Sequence, residues 1–204
     1  MTDPIVRMEF TRLESVRRLL NAAVELYFSD GDYLAIHTLA ASVYEVTKDI
    51  LGKAQGTSGL LLQFDSITDK KERKKAIDFF RAPQNFLKHA NLDPDLSATI
   101  TYFPAVTELM LYECCHYFKR HDPSGTQLCA MYIGWYCAWN KQFRSTYEGQ
   151  GAFSKFEEIS TLYTINERQQ FYAAHWERLD RVNVPLYGNE VPILVEALQV
   201  RMEQ

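Results

Sequence analysis

A short segment from Arg81 to Asn91 concentrates side chains that could bind a phosphate and transfer a proton. Asn85 and His89 are four residues apart, so they share one face if the segment is helical. A histidine near its ordinary pKa transfers protons at neutral pH, and an arginine can bind phosphate through two parallel hydrogen bonds. The spacing predicts Arg81, Asn85 and His89 as candidate catalytic residues. In the structural alternative, His89 caps or packs at a helix end, while Arg81 pairs with Asp78 or faces solvent.

The stretch Asn85-Phe86-Leu87-Lys88-His89-Ala90 resembles part of the motif of the HEPN superfamily, in which an Arg, often followed by a polar residue, precedes a His. Seven residues, including Pro83, separate Arg81 from His89 here. HEPN domains are small and α-helical, and many are metal-independent ribonucleases. The resemblance implies a bacterial or phage nucleic-acid or defence system. It implies either a non-catalytic binding and dimerisation module, or a ribonuclease with His89 as proton-transfer residue and Arg81 as phosphate clamp.

A basic run lies just before this segment. Residues 70–75 contain five basic side chains and one acidic side chain. On a continuous helix of 3.6 residues per turn, several of these cations fall on one stripe. Such a stripe can follow a nucleic-acid backbone without reading its sequence, whereas the alternative is a solvated helix face. The candidate nucleic-acid-binding residues are Lys70, Lys74 and Lys88, beside Arg81 and His89.

Two histidines elsewhere could also carry chemistry. Glu113 and His116 have the i, i+3 spacing of di-iron carboxylate bundles, but those bundles use two such pairs and two further Glu. We therefore expect Glu113 and His116 to satisfy each other or the backbone, with a metal site as the alternative. His37, on an apolar face, is expected to be a hydrogen-bonded core residue. The sequence predicts no cofactor and no metal.

Composition and missing motifs exclude several classes of function. The chain has no GxxxxGK[ST], GxGxxG, GxSxG, HExxH or CxxC pattern. Its net charge is −4, so a nucleic-acid-binding surface would have to be local. All four cysteines lie in the apolar stretch 114–137, which predicts buried thiols and a reducing, cytoplasmic setting. We expect no signal peptide and no membrane contact.

Helical periodicity dominates the chain, and Thr11 and Glu14 have the spacing of a helix start. Pro83 is expected to interrupt one helix, and residues 98–103 are a candidate extended segment. Asn166 is a candidate helix cap. The predicted helices cover about Phe10–Tyr27, Tyr33–Leu51, Thr68–Arg81, Gln84–Ala90, Pro104–His121, Gln127–Phe143, Phe153–Leu162, Glu167–Asp180 and Val191–Glu203.

These elements predict an all-α fold, a single-domain bundle of seven or eight helices spanning residues 1–204. An alternative division of the same chain is a core at 9–122 followed by a helical extension at 126–204. The helix from Gln127 is apolar nearly all round and should be central. Its aromatic residues are core if covered; if partly exposed, they form a homodimer face or a pocket between helices for a planar or acyl ligand. These residues are Tyr132, Trp135, Tyr136, Trp139 and Phe143. We expect a homo-oligomer with RNA or a protein as a further partner.

Overall fold

The structure is a computed structural model and describes residues 9–51, 67–89, 95, 97–121, 127–143 and 153–179. These residues contain seven α-helices and no β-strand, which confirms the predicted all-α class. The helices are α1 (Arg12–Phe28), α2 (Tyr33–Leu51), α3 (Lys70–Lys88), α4 (Pro104–His121), α5 (Gln127–Trp139), α6 (Phe153–Leu162) and α7 (Arg168–Leu179).

The turn between α1 and α2 is fixed by backbone geometry. Asp30 has a φ of 56°, and the N–H of Gly31 donates to the carbonyl of Leu26 at 2.7 Å, as in a Schellman motif. A Cβ on Gly31 would lie 2.9 Å from that carbonyl oxygen, so only glycine fits there. The carboxylate of Asp32 then accepts from the N–H groups of Leu34 and Ala35 and caps α2.

Helix α5 lies at the centre of the helix packing. All its side chains from Leu128 to Ala138 are buried, and it packs against α4, α6, α1 and α7. One apolar cluster combines residues of α1, α2, α4, α5, α6 and α7. Trp135 is 1% exposed and contacts Phe171 of α7 at 4.8 Å between ring centroids. The aromatic residues of α5 therefore belong to the core, and the homodimer face considered for them is covered by other helices of the same chain.

The four cysteines, Cys114, Cys115, Cys129 and Cys137, are free and buried, as predicted. They act as small hydrophobic side chains where α4 packs against α5. Among the described residues, no helix is both long enough and apolar enough to cross a membrane.

The predicted interruption at Pro83 is wrong, because α3 runs unbroken from Lys70 to Lys88. Helix α5 ends at Trp139, before the predicted Phe143, and a short 3-10 turn follows. Asn166 does not cap α7, since it lies inside a 3-10 turn, Ile165–Glu167. Residues 98–103 are irregular and form no strand. The helix predicted over Val191–Glu203 lies outside the described residues.

Candidate nucleic-acid interface

Helix α3 begins at a well-formed cap. The Asp69 carboxylate accepts from the N–H groups of Lys71 and Glu72 at 2.8 and 2.9 Å. The Arg73 guanidinium donates from Nε and Nη2 to the carbonyl of Ile67 at 2.9 and 2.8 Å. A carboxylate at the N-cap also complements the positive end of the helix dipole. These contacts fix the first turn, from which the basic run projects.

One face of α3 packs against α2, and this face includes Arg81. The Arg81 Nη2 atom lies 2.8 Å from the Glu45 Oε1 atom, and both side chains are about one-third exposed. Pro83 and Gln84 are buried, and Phe80 packs against the apolar core. The partner of Arg81 is thus Glu45 of α2, rather than Asp78 of its own helix. The ion pair helps to hold α3 in place.

His89 forms the C-cap of α3, as the structural alternative for this residue expects. Its N–H donates to the carbonyl of Asn85 at 3.0 Å, and its side chain is exposed. Along a continuous helix, the eight-residue step from Arg81 to His89 spans about 12 Å. Asn85 and His89 are joined only by this backbone hydrogen bond, and Arg81 is directed towards α2. Catalysis by these three residues stays a prediction.

The lysines of the predicted track are exposed. Helix α3 contains seven Lys or Arg and two Asp or Glu, a net charge of +5 in a chain whose net charge is −4. Lys70, Lys74 and Lys88 are exposed, and no ion pair joins them to another side chain of the described part. The eighteen-residue step from Lys70 to Lys88 spans about 27 Å of helix. These three residues form what we call the lysine track.

A second polar cluster, which the sequence did not reveal, lies where α7 begins. The Arg168 side chain, 12% exposed, pairs with the carboxylate of Asp30 and donates from Nη1 to the Tyr33 hydroxyl at 2.8 Å. Its guanidinium also lies over the ring of Tyr27, 4.7 Å from the centroid. The Tyr33 hydroxyl donates to Glu108 Oε1 at 2.8 Å. Arg168, Asp30, Tyr33 and Glu108 form what we call the arginine cluster.

The protonation of the arginine cluster reflects burial and charge. Burial raises the pKa of Glu108, while the Tyr33 hydrogen bond and the charge of Arg168 oppose the shift. Burial alone would lower the pKa of Arg168, but its hydrogen bonds to Tyr33 and Asp30 outweigh that effect and raise the pKa. Every polar group named here has a partner within the chain, so the cluster joins α7 to the α1–α2 turn and to α4.

His37 is the hydrogen-bonded core residue that the sequence predicts. Its side chain is fully buried, and its Nδ1 atom lies 3.0 Å from the Oγ1 atom of Thr107 on α4. Burial lowers the pKa of His37 to about 4, so the ring is neutral at pH 7. The hydrogen bond of His37 therefore links α2 to α4.

The Glu113–His116 pair lies within α4. Glu113 is buried, and the His116 ring stacks on Tyr112 with 5.9 Å between centroids. In the part of the chain that the structure describes, no three His, Cys, Asp or Glu side chains come close enough together to hold a metal ion.

Comparisons of the chain with known protein families, with curated proteins and with solved structures found no match.

Proposed function

We propose that the protein is an α-helical nucleic-acid-binding module that contacts the phosphate backbone of RNA through α3. The observation that carries the proposal is the concentration of positive charge on this helix, +5 in 19 residues of an acidic chain. Binding of this kind is electrostatic and independent of sequence. It also agrees with the resemblance of residues 85–90 to the HEPN motif.

The local structure supports a binding surface more than a cleavage site. Lys70, Lys74 and Lys88 are exposed along one helix, where they can contact separate phosphates of one strand. Arg81, in contrast, is neutralised by Glu45 and directed towards α2. Ribonuclease activity with His89 and Arg81 is therefore the second candidate, favoured by the exposure of His89 beside the lysine track. In the first candidate, RNA is bound and left intact.

The direct test is RNA binding by the full chain and by a triple variant, Lys70→Gln, Lys74→Gln and Lys88→Gln. Fluorescence anisotropy with a labelled single-stranded 12-nucleotide RNA gives the affinity at 0.1 M salt. Loss of three phosphate contacts should weaken binding about 10- to 100-fold at this salt concentration. The variant should fold normally, because the replaced side chains are exposed.

A matched control replaces Lys141, an exposed lysine outside α3. Lys141→Gln removes one positive charge, as each single replacement in the lysine track does, but because Lys141 lies outside α3 beside Glu157 it should change the affinity less than twofold. Equal losses from Lys141→Gln and from each single variant of the track would mean that only net charge matters. That result, or an absence of RNA binding, would contradict the proposal.

A further inference from the structure

A second stripe on α3 combines cations with exposed aromatic rings. It is centred about 100° around the helix axis from Lys74, towards the other border of the solvent-facing surface. Its members recur at steps of three and four residues and so share one face. This aromatic stripe consists of Lys71, Lys75, Phe79, Ala82 and Phe86.

The rings of the stripe are unusually open to solvent. Phe79 is 49% exposed and Phe86 is 38% exposed. Phe103, just before α4, is 52% exposed and lies beside Phe79, with 5.8 Å between ring centroids. Phenylalanine rings usually contribute to cores, and a contiguous exposed apolar patch indicates a binding surface. The three rings therefore point to a ligand with apolar, flat groups.

The charge beside the rings narrows the class of ligand. Lys71 and Lys75 are exposed on the same stripe, and the Lys75–Glu72 ion pair is more than half exposed, so it is weak. A ligand of this surface must present negative charge next to planar faces. Single-stranded nucleic acid does so, because its bases are free to stack on aromatic side chains while its phosphates meet cations. In a duplex the bases are stacked on one another, so their faces are covered.

We infer that the aromatic stripe and Phe103 select single-stranded nucleic acid by stacking its unpaired bases. This inference rests on the proposed function, and it names the strand form that the protein prefers and the residues that recognise it. Phe79 and Phe86 are seven residues apart, about 10 Å along the axis, so they can hold separate bases. Lys71 and Lys75 contact the phosphates on this side, and the lysine track contacts the strand on the other side of α3.

The test compares three probes of equal length: a single-stranded 12-nucleotide RNA, the same backbone with abasic sites, and a 12-base-pair RNA duplex. The full chain should bind the single strand at least about tenfold more tightly than the abasic strand, because each stacked base contributes a factor of about five or more. Phe79→Ala with Phe103→Ala should lower the affinity for the single strand towards that for the abasic strand, leaving only the contribution of Phe86. The affinity of this double variant for the abasic strand should equal that of the unmodified chain.

Two controls separate this inference from the proposed function. Ile165→Ala removes a similarly exposed apolar side chain, 49% exposed and outside α3, and should have no effect. The triple variant of the lysine track should weaken binding of all three probes. Far-ultraviolet circular dichroism checks that each variant is folded.

The outcomes distinguish failure of base stacking from failure of RNA binding. Equal affinity for the single strand and the abasic strand, or no effect of the Phe79 and Phe103 replacements, overturns base stacking but leaves phosphate binding intact. Tighter binding of the duplex than of the single strand also overturns base stacking and leaves phosphate binding intact. Failure to bind any of the three probes overturns both proposals. Binding only to vesicles of anionic phospholipid would assign the aromatic stripe to a lipid surface, and it also overturns both.

Discussion

At the scale of single residues, His37 links stability to pH. Its pKa is about 4 in the folded protein and about 6.5 in an unfolded chain, so the unfolded state binds the proton more readily. The stabilising effect is complete above pH 6.5 and is lost as the pH falls towards 4. The two pKa values differ by about 2.5, which corresponds to roughly 3 kcal/mol of unfolding free energy.

The variant His37→Gln should remove most of this pH dependence, because glutamine does not titrate and retains a polar group near Thr107. Urea unfolding at pH 7 and pH 4 measures the effect. The loss of unfolding free energy between the two pH values should be smaller in the variant by about 3 kcal/mol. Parallel pH profiles for the variant and the full chain would show that His37 is not the responsible group.

Arg168 should contribute strongly to stability, because its side chain is nearly buried and pairs with Asp30 and Tyr33. We expect Arg168→Ala to lower the free energy of unfolding by about 2 kcal/mol, since it removes the ion pair with Asp30, the hydrogen bond to Tyr33 and the guanidinium contact with the Tyr27 ring. Urea denaturation provides the measurement.

The matched control is Arg18→Ala, which breaks an ion pair with Glu14 on the surface of α1. Exposed pairs of this type contribute a few tenths of a kcal/mol, so this change should be nearly neutral. Similar losses from the two replacements would contradict the structural role of Arg168.

The two clusters differ in how far the sequence predicted them. Helical periodicity places Lys70 and Lys74 on one stripe, but the break predicted at Pro83 put Lys88 on a separate helix, and only the unbroken α3 joins all three. The arginine cluster could not be predicted, because three separate segments bring its residues together: Asp30 and Tyr33 lie where α1 meets α2, Glu108 lies on α4 and Arg168 on α7. Asp30 is the one member with an unusual local conformation, since it occupies a left-handed position after α1 where glycine is common. Its carboxylate there pairs with Arg168.

At the scale of elements, most helix boundaries follow from local chemistry. Thr11 caps α1 through the N–H of Glu14, and Pro104 begins α4, as their sequence positions predict. Helix α3 is the exception. A proline inside a helix removes a backbone hydrogen bond, but the buried Pro83 and Gln84 and the Arg81–Glu45 pair hold both halves of α3 in one helix. Tertiary packing overrides the local preference.

The continuity of α3 leads to a prediction about catalysis. Because Arg81 is paired with Glu45 and lies about 12 Å along the axis from His89, we expect the protein to leave bound RNA uncleaved. Incubation of a labelled single-stranded RNA with the full chain, followed by denaturing gel electrophoresis, measures cleavage. His89→Ala and Arg81→Ala serve as the comparison. Cleavage by the full chain that His89→Ala abolishes would establish the ribonuclease candidate instead.

At the scale of the whole molecule, the separation of charge is the dominant property. Helix α3 has a net charge of +5, so the rest of the chain has −9 if the total is −4. Under the proposed function, we expect this charge distribution to attract nucleic acid to α3. We expect the logarithm of the affinity to fall linearly with the logarithm of salt concentration, and the triple lysine variant to reduce that slope by about 2. Anisotropy titrations between 0.05 and 0.3 M salt measure both slopes, and equal slopes would contradict this prediction.

The central claim is that RNA contacts α3, and ultraviolet crosslinking tests it most directly. The full chain is irradiated with a single-stranded 12-nucleotide RNA, digested, and analysed by mass spectrometry to locate the crosslinked peptides. We predict crosslinks within residues 70–88 and at Phe103, with loss of both in the triple variant of Lys70, Lys74 and Lys88. Crosslinks confined to α5, α6 or α7, or unchanged in that variant, would contradict the account.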